Sequence, residues 1–120
     1  MELNILRADP AGNITVFVLD PVEKAQRAAI AEKIMAIPAL KAEQVGYACA
    51  AEDDVDGHME MMGGEFCGNA TRAFACYAAK VRGRGETRLA VSVSGAREPV
   101  PVAVDLRQNR AYAQMPLPYA

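Results

Sequence analysis

The sequence predicts an α+β fold, with strands wrapped around one central buried helix and a second helix lying outside. Three observations carry that prediction. Stretches with element-forming patterns alternate as two strands, a helix, two strands, a helix and three strands, with no internal repeat, linker or low-complexity segment. From Ala70 to Val81 only Thr71, Arg72 and Lys80 are clearly polar, and a helix apolar on nearly every side is a buried one. Glu23, Lys24, Arg27, Glu32 and Lys33 instead leave the earlier helix half wet, which puts it on the outside of the sheet.

The opening strands are expected over Glu2 to Ala8 and Ile14 to Leu19, joined by the turn composition Asp9-Pro10-Ala11-Gly12-Asn13. Asp20 reads as an N-cap, Pro21 suits the first helical position, and Glu23 completes a capping-box pattern. A helix is therefore expected from Pro21 to Ala36, ended by Pro38, with Ile30, Ile34 and Ile37 on one stripe. Gln44 to Ala50 and His58 to Met62 read as strands around the acidic turn Glu52 to Gly57. That turn lacks the later glutamate and full spacing of a calcium loop, so a solvated hairpin tip is the expectation. Beyond the central helix, Lys80, Arg82 and Arg84 suit its negative end, and Gly83 and Gly85 stop it. Thr87 to Ser94, Val100 to Leu106 and Arg110 to Met115 complete the strands.

Composition narrows the functions. The 120 residues suffice for a single domain, taken as 1–120, with a real core. A chain 52% hydrophobic and 23% charged, with net charge -2, is globular and has no basic footprint for nucleic acid. No apolar run approaches the ~18 residues of a membrane span, and Met1 to Arg7 lacks the pattern of a signal peptide. The expected location is the cytoplasm. Three cysteines without a CxxC pair suggest neither a disulfide framework nor zinc.

The chemistry is expected in the stretch from Met62 to Ala75. There Gly63-Gly64 ends a strand and Cys67-Gly68-Asn69 opens the buried helix. The first turn of a helix presents N–H groups without intrahelical partners and the positive end of the macrodipole, so a thiol there tends to ionise and a carboxylate tends to dock.

Gly63-Gly64-Glu65-Phe66-Cys67-Gly68-Asn69-Ala70-Thr71-Arg72, with Gly12-Asn13 leading into an apolar strand far upstream, resembles the N-terminal half of diaminopimelate epimerase and its relatives. These are cofactor-independent amino-acid racemases and epimerases, and the wording is nearest that of the histidine racemases of opine-type metallophore synthesis. The resemblance implies a fold of two similar halves, each a strand barrel around a central helix, and an active site without pyridoxal phosphate or any other cofactor. It implies Cys67 as a catalytic cysteine, Gly68 and Asn69 as N–H donors to the substrate α-carboxylate, and Asn13 as a substrate-binding asparagine. Glu60 falls near the epimerase's second substrate-binding asparagine, but only across a gap, and Ala70 stands where the epimerase has glycine. Those departures leave the substrate side chain open.

Simpler roles stand beside these. Asn13 equally well shapes the turn after Gly12, Glu60 reads as a solvent-facing strand residue, and His58 as a surface histidine. Arg72 is expected to pin the buried helix through backbone carbonyls. Cys49 and Cys76 read as small buried hydrophobes. Inversion of an α-carbon needs a second acid on the opposite face, and Cys76, about 13.5 Å of rise along the helix from Cys67 and about half a turn away in direction, cannot supply it. In the family that group comes from the C-terminal half. The partners expected are thus an amino acid and either that half or a second copy of the chain in a homodimer, with a non-catalytic half domain as the alternative. An isomerase of the phenazine-biosynthesis type is a weaker alternative, opposed by Cys67-Gly68-Asn69.

Overall fold

The computed structural model describes residues 3–9, 14–51, 54–81, 83, 86–107 and 110–113. Its elements run β1 (Ile5–Ala8), β2 (Thr15–Val18), α1 (Lys24–Met35), β3 (Gln44–Cys49), β4 (Gly57–Met61), α2 (Gly68–Val81), β5 (Glu86–Val93), β6 (Val100–Asp105) and β7 (Arg110–Ala113). The expected order of elements is therefore present, and the class is α+β. All strands form one seven-stranded sheet in the order β1 to β7. Among the described residues no pairing joins β1 to β7, so the sheet is curled rather than closed.

Two pairs are parallel, β2 with β3 and β4 with β5, and each is bridged by a helix. Between them β3 and β4 run antiparallel, so the second unit points the opposite way along the same sheet. Crossovers of one hand must then place their helices on opposite faces, and nearly all such crossovers are right-handed. The burial follows that rule. Phe17, Met59, Met61, Leu89, Val91, Val93, Val100, Val102 and Val104 pack with Ala70, Phe74, Ala75, Ala78 and Ala79 of α2 on the inner face. Val16, Val18, Val45 and Tyr47 pack with Ala31 and Ile34 of α1 on the outer face.

Three local expectations are corrected. Helix α1 begins at Lys24 with Glu23 as N-cap and no side-chain cap bond. Asp20 instead accepts from Asn4, at 2.5 Å from its backbone N–H and 3.2 Å from its side-chain amide, tying the segment before α1 to the segment before β1. Ile34 is buried, but Ile37, beyond the helix, is 45% exposed. Helix α2 is not enclosed on every side: Arg72, Ala73, Cys76, Tyr77 and Lys80 line a cavity of about 360 Å³ with Leu6 to Asp9 and Ala111, where the curled sheet leaves its gap. The Asp9 to Asn13 turn lies largely outside the described residues, as do Glu52, Asp53, Arg82, Arg84, Gly85 and Met115.

Candidate active site

Cys67 occupies the position before the first helical residue of α2. Its carbonyl accepts from the Thr71 N–H at 2.9 Å and the Thr71 hydroxyl at 2.8 Å, and its sulfur accepts from the Ala70 N–H at 3.5 Å. The thiol thus takes the place an oxygen side chain takes in an ordinary N-cap. Among the described residues nothing accepts from the N–H groups of Gly68 or Asn69. Two backbone donors therefore stand beside the sulfur at the positive end of a 14-residue helix.

A third donor comes from the sheet. Gln44 Nε2 donates to Cys67 Sγ at 3.2 Å and to Thr15 Oγ1 at 2.7 Å. Register places Thr15 beside Gln44, and Thr15 is fully buried. Sequence reasoning took Gln44 only as the start of a strand. The available signal was its alternation with Gly46 and Ala48: a polar residue on an inner-face position needs a polar partner.

The loop leading to Cys67 is braced from the β5–β6 turn. Ser94 Oγ accepts from the Met61 N–H at 2.8 Å and donates to the Glu65 carbonyl at 2.7 Å. Gly95 has φ +79°, and a Cβ there would lie 2.3 Å from the Phe66 nitrogen. Gly64 supplies a second positive φ, and its N–H bonds the Met61 carbonyl at 2.9 Å. The Gly63-Gly64 pair therefore does turn the chain between β4 and Cys67.

The other residues singled out by sequence are not gathered at Cys67. Asn13 lies outside the described residues. The Asn69 side chain is held by its own helix, its Oδ1 accepting from Arg72 Nη2, so Arg72 bonds a side chain where backbone carbonyls were expected. Glu60 is on the outer face, since Met59 and Met61 point inward from the same strand. It is paired with Arg27 Nη1 and, at 3.1 Å, with His58 Nε2. Neither Glu60 nor His58 is the free surface residue expected. The Arg27 bond, followed by that of His58, holds the Glu60 carboxyl below its usual range against the opposing effect of burial. Burial pushes the thiols of Cys49 and Cys76 up, with Glu60 adding to the rise at Cys49. Cys49 lies on the outer face beside Arg27, and Cys76 lines the gap beside α2. Neither is a second thiol for Cys67.

Residues 2–120 match the family described as Histidine racemase CntK N-terminal domain. The chain belongs to this family. Histidine racemases from two strains of Fusobacterium nucleatum subsp. nucleatum are 45% identical over 75 residues and 35% identical over 122 residues, covering 61% and 97% of the chain. One from Staphylococcus aureus is 32% identical over 114 residues, or 93% of the chain. The aligned parts make up 26%, 44% and 41% of those proteins, so the chain spans less than half the length of the relatives it matches.

Proposed function

We propose that this chain is one catalytic half of a cofactor-independent two-base amino-acid racemase, with histidine as the substrate and Cys67 as the group that exchanges the α-proton. The names of the relatives support histidine as the substrate, and the surroundings of Cys67 support the thiol chemistry. The observation that carries the reading is the convergence on one sulfur of the Gln44 amide and the Ala70 N–H, with the N–H groups of Gly68 and Asn69 alongside.

An amino-acid α-proton is a very weak acid. A thiolate removes it at a useful rate only where fixed donors stabilise the charge that develops on the substrate. In the proposed mechanism the substrate carboxylate docks on the Gly68 and Asn69 N–H groups, which places the α-carbon beside Cys67. The proton passes to Sγ, and the electron pair left on carbon delocalises into the carboxylate facing the helix N-terminus. A second acid then protonates the opposite face; with Cys49 and Cys76 held elsewhere, a C-terminal half or a second copy of the chain would supply it. Asn13 remains a proposed substrate contact. Glu60 is left out, being on the far face of the sheet.

The test is exchange of the α-hydrogen of histidine in deuterated water, by the chain alone and joined to a C-terminal half, each with its Cys67→Ala counterpart. Exchange is expected from the joined protein and lost in Cys67→Ala. Exchange that survives Cys67→Ala overturns the reading. The separation of Cys67 from the other two thiols also favours a non-catalytic role for the chain alone, read out as carboxylate binding without exchange.

A further inference from the structure

We propose that Cys49, His58 and Glu60 form a second site, on the outer face of the sheet, that takes a divalent cation of the zinc class, and that the Arg27 guanidinium guards it until metal displaces it. The site is independent of the racemase reading and does not use Cys67.

Strand register builds it. Cys49 of β3 stands directly across from His58 of β4, and Tyr47 across from Glu60, so all four share the outer face. The sulfur, one imidazole nitrogen and one carboxylate oxygen lie within 4.8 Å of one another. Around a tetrahedral zinc with bonds of about 2.0–2.3 Å, ligand atoms stand roughly 3.3–3.8 Å apart. Rotations that shift the donor atoms by about an ångström would therefore close the set. Thiolate with imidazole selects zinc, cobalt or nickel over calcium and magnesium. Three protein ligands leave a fourth position for water. His58 also lines a cavity of about 310 Å³ with Ala50, Asp54, Val55, Ser92 and Pro99, through which solvent reaches it.

A separate observation is that two of these three ligands, Glu60 and Cys49, already hold a cation. Arg27 reaches from α1, donating through Nη1 to Glu60 and through Nη2 to Cys49 Sγ at 3.6 Å, while its guanidinium carbon lies 5.1 Å from the centre of the Tyr47 ring. A guanidinium does not deprotonate in place, so metal must expel it. Binding then releases one proton, from the Cys49 thiol to solvent. Arg27 leaves still charged, keeping the Val22 carbonyl within reach of Nε at 3.4 Å, and no electrons are transferred.

Cobalt(II) titration of the full chain reads the site directly, through the sulfur-to-cobalt charge-transfer band. One equivalent is expected to bind, with the band lost in Cys49→Ser, weakened in His58→Ala and unchanged in Cys67→Ser. Arg27→Gln removes the competitor and is expected to tighten binding at least tenfold. Arg27→Lys, which keeps the charge but not the fork, should fall between, and it serves if Arg27→Gln does not fold. A band that survives Cys49→Ser, or affinity that the folded Arg27 variants leave unchanged, overturns the proposal. So does the lack of any band in wild type and variants alike.

Discussion

At the scale of single residues, Cys67 differs from the other cysteines in what surrounds it. Its sulfur receives two N–H donors, whereas burial pushes the Cys49 and Cys76 thiols up. Alkylation at neutral pH followed by mass mapping should therefore label Cys67 first. Gln44→Ala removes the side-chain donor to the sulfur and should slow that labelling by roughly two- to tenfold, since one hydrogen bond contributes about 0.5–1.5 kcal/mol. Gly68→Pro should weaken carboxylate binding without unfolding α2, because proline is tolerated in a first turn; calorimetry with histidine and circular dichroism check both halves of that statement. Cys67, Gly68 and Asn69 were legible in sequence because a cysteine followed by glycine and asparagine at a helix start is a local signal. Gln44 was not, because its role exists only once β3 lies beside β2 and the sulfur comes down from α2.

Among the elements, α1 shows what local reading misses. The capping pattern in the letters points to a start at Pro21, yet Asp20 is engaged by Asn4 and the helix starts at Lys24. The strands fared better, since their alternation depends only on which face is buried; β3, β4, β5 and β6 each lie within a residue or two of the stretches predicted. Arg27 pins α1 to β4 through Glu60 and receives a further anchor from Tyr47, whose hydroxyl donates to the Arg27 carbonyl at 2.5 Å. The Glu60 carboxyl is depressed in the folded state, so its stabilisation is full above its unfolded value, about 4.3, and disappears as pH falls through the lower folded value. Acid unfolding should shift to lower stability across that window in wild type, and Glu60→Gln should flatten this part of the profile at a cost of about 1 kcal/mol at neutral pH. On the other side of the molecule, Gly95→Ala forces both a left-handed backbone and a contact with the Phe66 nitrogen. A loss of about 1–3 kcal/mol is expected, visible as a Tm lowered by several degrees, together with slower labelling of Cys67 as its supporting loop shifts.

For the whole molecule, the decisive fact is that Cys67, the proposed proton acceptor, stands at one end of α2 with no second thiol beside it among the described residues. The relatives are more than twice as long as the parts aligned here, which makes further protein one source of the missing acid. A second copy of the chain is the other. Met62, 41% exposed, and the half-buried Phe66 lie in the segment that leads into Cys67, and exposed apolar surface favours a partner. An isologous dimer through this face would bring Cys67 of one protomer opposite Cys67 of its partner across the two-fold axis. Sedimentation of the chain alone should then report a dimer, and mild oxidation should link it through Cys67 where the Cα atoms come within about 7 Å. Histidine exchange by that dimer should be far weaker than by the joined halves, since a symmetric pocket offers an asymmetric amino acid the same groups on both sides. A monomer at all concentrations, or a crosslink only through Cys49 or Cys76, would remove the dimer and leave a chain that is inactive alone as the better account.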